Sequence, residues 1–307
     1  MPKSVFTPDN ELTAIAIGYK NPKENFIADK VFPYVPVGTP DFGYNTYPLA
    51  EGFTVPDTKV GRTSKPNSVE FSAKRKNASV QDYGLEVPVP NYDVAYAPKN
   101  YNPKGRATEG GTNLILLDRE LRAANFFKNP LNFGYKKTLA GNDKISSDDG
   151  DPIELLLKAK DEMIMGANTL VLGMDVWTKL RLHPKVVAAV NKNSGTSGVA
   201  SRQAVAELLE VNEVIVGNSK HNVSKKGQTA QVASTWAGVM SLLHLDDTAD
   251  TENGVTFGLT ARFGERIAGE LEDQDMGLRG GKKVRVGESV RELVVGELCG
   301  YLFESVL

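Results

Sequence analysis

Thirteen of the sixteen prolines in this 307-residue chain lie between Pro2 and Pro103; only Pro130, Pro152 and Pro184 follow. Proline fixes its own φ, lacks an amide donor and pushes the preceding residue towards extended backbone. A stretch such as Val31-Phe-Pro-Tyr-Val-Pro-Val-Gly-Thr-Pro40 therefore excludes a long helix or a central strand. Between the prolines lie short β-prone pieces at 42–47, 69–73, 79–83 and 85–89. The first hundred residues read either as an extended arm plus a long β-hairpin or loop, or as an irregular N-terminal β-domain. Composition alone does not separate the two.

After residue 110 the pattern changes. Leu114, Leu117, Leu121 and Ala124 stand at helical spacing within 113–128, and Pro130 marks the end of that helix. A second helix is expected from Asp151 to about Met165. Asp151 caps it, Pro152 suits its first position, Glu154 completes a capping box and Gly166 stops it. Then the chain alternates: a buried strand at 168–172, helices at 175–182 and 184–190, a Gly/Ser loop at 191–198 and a helix at 201–210. Strands are expected at 214–216, 236–244, 255–261, 283–286 and 292–303, with a tight turn at Asn253-Gly254. No repeat of fixed period is present, which excludes solenoids and propellers.

Charge and cysteine content narrow the function classes. Lys and Arg number 36 against 38 Asp and Glu, a net charge of −2, where a dedicated nucleic-acid binder carries a basic excess. No run approaches the ~18 apolar residues of a membrane helix, and the first twenty residues lack a signal-peptide core. Cys299 is the only cysteine, and the three histidines are scattered. Neither a disulfide framework nor a His-rich metal site is expected. The expectation is a soluble protein of a reducing compartment, large enough to fold without a staple.

Motifs that carry chemistry are missing. There is no phosphate-binding Gly-x-x-x-x-Gly-Lys loop, no dinucleotide fingerprint, no nucleophile elbow and no zinc helix. The Gly-rich pieces 195–198 and 277–281 lack a phosphate-contacting Lys and read as surface loops. His183 and His221 read as loop residues, and His244, beside Asp246 and Asp247, as the end of a strand. Cys299 reads as a buried hydrophobe with no base beside it. The acidic runs 148–151, 246–247 and 270–275 read as solvated loops, and 148–151 lacks the spaced ligands of a calcium loop. No catalytic residue, cofactor or metal is expected. Lys74-Arg75-Lys76 is the only basic triplet, too short for a nucleic-acid groove but able to meet an acidic neighbour.

The order of the pieces carries more than any motif. Asn25-Phe-Ile-Ala-Asp-Lys-Val-Phe-Pro-Tyr-Val-Pro-Val37, Tyr83-Gly-Leu-Glu-Val-Pro-Val89, Ala167–Leu180 with His183-Pro184, and Leu208–Gly217 form a collinear set over most of the chain. This set resembles the major capsid proteins of tailed double-stranded-DNA bacteriophages, the Hong Kong 97-type shell fold, and most of all those of Mu-like transposable phages. The resemblance implies an α+β chain with an N-terminal arm (1–37) and an extended loop (38–79). It also implies a peripheral domain with a long spine helix (80–166 and 276–307) and an axial α/β domain (167–275). Lys59, Arg62, Lys65, Lys74, Arg75 and Lys76 are the implied intersubunit contacts.

The implied function is a structural one: self-assembly, through hexamers and pentamers, into the icosahedral shell of a phage head around double-stranded DNA, packaged without sequence specificity. The implied partners are a separate scaffolding protein, a portal, a maturation protease and a cement protein. No membrane is involved; the protein is made in the host cytoplasm and resides in the virion. Because the shell-like pattern begins by Phe26, no fused N-terminal scaffold is expected. Some relatives join a loop lysine to a neighbour's asparagine near the chain end. Here no asparagine follows Asn253, so a non-covalent shell is expected. Two alternatives are an encapsulin-like cellular nanocompartment that packages enzyme cargo, and an enzyme with an unrecognised α/β site.

Overall fold

The computed structural model describes residues 6–19, 26–190, 198–225 and 227–307. Residue 25 of the collinear set and most of the expected 191–198 loop lie outside them. The N-terminal half runs β1 (Thr7–Pro8), α1 (Asn10–Gly18), α2 (Ala28–Val31), β2 (Tyr34–Val37), β3 (Asp41–Thr46), α3 (Leu49–Phe53), β4 (Lys74–Ser79), β5 (Gln81–Pro90), α4 (Asn91–Ala95) and α5 (Pro103–Phe127). Then follow β6 (Tyr135–Thr138), α6 (Pro152–Glu162), β7 (Thr169–Gly173), α7 (Met174–Leu182), α8 (Pro184–Val190), α9 (Arg202–Leu208) and β8 (Glu213–Gly217). The chain closes with β9 (Lys220–Asn222), β10 (Val232–Ser234), β11 (Met240–Leu243), β12 (Gly258–Asp273), β13 (Gly281–Val294) and β14 (Gly300–Glu304).

A long antiparallel hairpin, β12–β13, is the spine of the first sheet. β5 pairs with its β13 side, while β1 and β2 both pair with β12, β2 in parallel. The sequence suggested only short strands at 255–261, 283–286 and 292–303, and an acidic loop at 270–275. Charged residues at 265, 266, 270, 272, 285 and 288 broke the apolar signal, yet four of them pair across strands here, in Arg266–Glu288, Lys282–Glu270 and Arg285–Glu86. The 292–303 stretch is two strands separated by a 3₁₀ turn at Glu297–Cys299. The expected domain boundary at 275/276 falls in the turn between two strands paired from Gly258↔Val294 to Asp273↔Gly281, with a register shift between Phe263 and Ile267, so it does not separate two units.

α5 lies against this sheet and begins ten residues before the expected 113. Asn102 caps it by accepting from the amides of Lys104 and Gly105, and Pro103 takes the first position. The three glycines at 105, 110 and 111 disguised this start. Gly111 faces the sheet, where an added Cβ would make ordinary van der Waals contact, 3.4–3.5 Å, with the side chains of Val87 and Val286. The inward face is Thr108, Thr112, Ile115, Arg119, Glu120, Ala123, Ala124 and Phe127; of the expected stripe Ala124 is buried, Leu117 and Leu121 are half-buried, and Leu114 is 53% exposed. Small side chains let the helix sit close to the hairpin.

The second sheet has the order β6-β14-β11-β7-β8 and is packed by α6, α7, α8 and α9. β7 is buried along its whole length, as its unbroken apolar run requires. α6 starts as expected, with Asp151 accepting from the Glu154 amide, but ends at Glu162. The expected strand at 236–244 shortens to β11, because Trp236 and Gly238 (φ +70°) form a turn before it. Helices α7, α8 and α9 and strand β8 fall where the sequence places them. The N-terminal arm is not wholly extended: α1 buries Leu12 and Ala16 against the hairpin and α5. The pieces 79–83 and 85–89 are one strand with β4 leading into it, and 69–73 forms no strand.

Candidate intersubunit surface

The extended loop leaves the body through β3 and β4, paired from Asp41↔Ser79 to Thr46↔Lys74. Its base is a small apolar cluster in which Tyr44 and Phe42 meet Val35, Leu259, Ala261 and Leu293. The Asn45 amide donates to Thr251 O at 2.8 Å, and the Tyr47 hydroxyl donates to Glu252 O. Beyond α3, residues 54–73 carry no regular structure and every one of them is exposed. This stretch includes Val55 at 89% and Phe71 at 76% exposure. A chain that leaves such side chains in water on a long excursion is built to be covered by something else.

All six basic residues expected to mark a contact surface are exposed, and among the described residues none forms an ion pair. They are not one cluster. Lys59, Arg62 and Lys65 stand on the distal excursion. Lys74, Arg75 and Lys76 lie in register on β4, where Lys74 and Lys76 line a cleft of about 330 Å³ with Asp250 and Glu297. Arg75 lies flat over Gly43, its Nε only 2.5 Å from where a Cβ would stand, so it braces its own hairpin.

Beneath this surface, charged side chains of α5 hold the arm. Glu120 is buried and accepts from the amides of Ile27 and Ala28 at 2.8 Å and from the Trp236 indole at 2.6 Å. Burial raises its carboxyl above the usual range, opposed by these donors and by Arg119. The Arg119 guanidinium, also buried, donates to Phe32 O and Thr260 Oγ1 at 3.0 Å and pairs with Asp29. Burial lowers it to about 10, opposed by Glu288 and Glu292.

Tyr34 completes the clasp. Its ring lies 3.9 Å from the Arg119 guanidinium and 4.7 Å from that of Arg262. Burial first, then Glu288, pushes its hydroxyl upward. Arg122 adds a two-point contact to Glu292 and stacks on Tyr83 at 3.7 Å. Sequence reading missed Arg119 and Glu120. The available signal was the i, i+4 run Ile115, Arg119, Ala123, Phe127, which places the arginine on an apolar face.

The remaining candidates do not converge. His183 is buried, with Nε2 3.0 Å from Ser147 O; His221 faces Thr235, and His244 faces Gly166 O. Burial pushes the Cys299 thiol up to about 12. The acidic residues Asp246 and Asp250 are held low by hydrogen bonds within their own turn. Among the described residues no group of three metal-ligating side chains forms, and no helix is long and apolar enough to cross a membrane.

This architecture has solved counterparts. A phage-related protein from Bordetella bronchiseptica RB50 superposes with a TM-score of 0.77 at 21% identity, over 98% of each chain. The capsid of cyanophage P-SCSP1u gives 0.59 at 10% identity, over 91% of this chain and 88% of that one. The fold is the Hong Kong 97-type shell fold. No family model matches the sequence. Across 309 aligned residues, however, the chain is 47% identical to the major capsid protein of Pseudomonas phage JBD67, covering 100% of this chain and 99% of that protein. The chain belongs to the phage major capsid proteins. It is a structural protein that self-assembles into a shell, and its place is the virion head.

Proposed function

We propose that the 38–79 loop is the principal intersubunit element of the shell, and that Lys59, Arg62, Lys65, Lys74 and Lys76 meet acidic groups of a neighbouring copy. The carrying observation is a fully exposed excursion bearing unpaired cations and uncovered apolar side chains, on a base tied firmly to the body. Two domains fit the packing: a peripheral one around α5 and the β12–β13 hairpin, and an axial one around the β6-β14-β11-β7-β8 sheet. Their division lies near 257/258 and 294/295. Residues 1–37 act as an arm whose inner part is the clasped strand β2.

The shell is read as a hexamer and pentamer lattice enclosing double-stranded DNA without sequence recognition, a role suited to a net charge of −2. Assembly is read as needing a scaffolding protein, a portal and a maturation protease, with a cement protein as a further partner. The collinear phrases at 25–37, 83–89, 167–184 and 208–217 support a place among the Mu-like phage shells. The protein performs no catalysis in this reading. Replacing 54–73 by a short Gly-Ser link tests the loop assignment by electron microscopy. Soluble subunits of native helix content that form no shells are expected, and normal shells would refute the assignment.

A further inference from the structure

Charge is unevenly spread along this chain. Residues 176–245 carry eight Lys and Arg against three carboxylates, Glu207, Glu210 and Glu213, while the whole chain has 36 against 38. Two of those three are paired already, Glu210 with Lys160 and Glu213 with Lys30. From Val214 to Leu245 there is no Asp or Glu at all. This acid-free stretch contains the β9–β10 hairpin, a two-stranded sheet joined to neither large sheet.

The base of the hairpin is fixed in the body. Ser219 and Thr235 are buried there, the Thr235 amide donates to Ser219 O at 3.0 Å, and Trp236 follows with its indole on Glu120. The outer part is braced by its own side chains. Asn222 Oδ1 accepts from the amides of Ser224 and Gln231 at 3.1 and 3.0 Å, and Ser224 Oγ donates to Thr229 O at 2.8 Å. A surface held in place in this way loses little entropy when it meets a partner. Lys220, Lys225, Gln228 and Thr229 stand exposed on it, and neither lysine forms an ion pair among the described residues.

The partner that suits this surface is a polyanion. Lysines set among hydroxyl and amide side chains are the groups that contact phosphate oxygens. Residues 218–235 include no Trp, Tyr or Arg, the side chains in which the hot spots of protein–protein contacts are enriched. We propose that the β9–β10 hairpin touches the phosphate backbone of the enclosed duplex, without reading bases, and so projects into the shell interior. This rests on the reading of a DNA-filled shell above and names the surface that meets the DNA. Two lysines displace counterions from about two phosphates, a weak contact for one subunit. Repeated on every copy of a closed shell, the same contact gains from multivalency.

Placing the photoreactive residue p-benzoylphenylalanine at position 228 tests this in DNA-filled heads. Irradiation followed by nuclease digestion is expected to leave nucleotide adducts on that residue, detected by mass spectrometry. Lys220→Ala and Lys225→Ala together should lower the adduct yield at least fivefold, with shell number and diameter unchanged. An unchanged yield, the absence of a nucleotide adduct, or an adduct to a second copy or another protein would overturn the assignment of the hairpin. So would loss of shells in the double variant, which would mark the hairpin as a contact between copies. Those outcomes leave the DNA-filled shell standing. Unsubstituted shells that contain no DNA would remove that reading and this one together.

Discussion

Glu120 joins three distant parts of the chain, because its two oxygens serve the amides that open α2 and the indole of Trp236. Truncating it leaves those donors buried without acceptors and removes one of the carboxylates around Arg119, which keeps Asp29 and Glu292. Glu120→Ala should therefore cost on the order of 3–5 kcal/mol, read from urea unfolding of the unassembled subunit. A loss below ~1 kcal/mol would show that the clasp is not energetically significant. The buried thiol of Cys299 gives a second test at this scale. The unfolded chain begins to lose this proton near pH 9, while the folded chain keeps it until about 12. Its contribution to stability is thus complete below about pH 9 and falls as pH rises towards 12, by up to roughly 1.4 kcal/mol per unit. Tyr301, raised to about 12 by burial, adds the same sign above pH 10. Cys299→Ala should flatten unfolding midpoints measured between pH 8.5 and 10.5; an unchanged slope would contradict the assigned environment.

At the scale of elements, the hairpin depends on contacts too close for any side chain but hydrogen. A Cβ on Gly258 would lie 2.4 Å from the Phe32 ring and 2.8 Å from Leu293 O. Gly258→Ala should cost about 1–3 kcal/mol and loosen the arm, seen as faster hydrogen exchange at Phe32–Val35. Unchanged exchange would mean that the ring moves aside freely. The loop also needs care in deletion. Tyr44, Phe42 and Ala78 belong to its basal core, so removing 39–79 exposes Leu259 and Leu293, whereas removing 54–73 leaves that core intact. The helices capped by Asp151-Pro152 and Ser201, and the continuous apolar strand β7, were legible in sequence because local signals and packing agree there. The start of α5, the full length of β12 and β13 and the Arg119–Glu120 clasp were not. Their glycines and charges make sense only against partners 12 residues away across the hairpin, or about ninety and more away for the clasp, and no local window contains those.

For the whole molecule, a shell held by surfaces and not by covalent bonds is expected. Among the described residues Lys59 and Lys65 form no ion pair, but the region after Asn253 offers Gln274 as its only side-chain amide, in the hairpin turn. Mature heads boiled in SDS should therefore run as one band near 33.3 kDa. A reduction-resistant ladder would overturn this. Isolated subunits should likewise bind duplex DNA weakly, and a nanomolar, salt-sensitive affinity in a filter or fluorescence titration would contradict the charge argument.

The last strand has a consequence for synthesis. β14, residues 300–304, is inserted between β6 and β11 near the middle of its sheet, and β1, residues 7–8, waits for residues 269–270 before it can pair. A nascent chain therefore cannot complete the first layer before residues 258–294 are made, nor the second before residue 304. Products stopped short of residue 300 lack the strand that joins β6 to β11, and are expected to stay unfolded and fall to proteases. On that expectation, only copies carrying β14 would reach the lattice. Ending the chain at Leu298 should abolish soluble accumulation, and a stable, folded product of that length would refute this view.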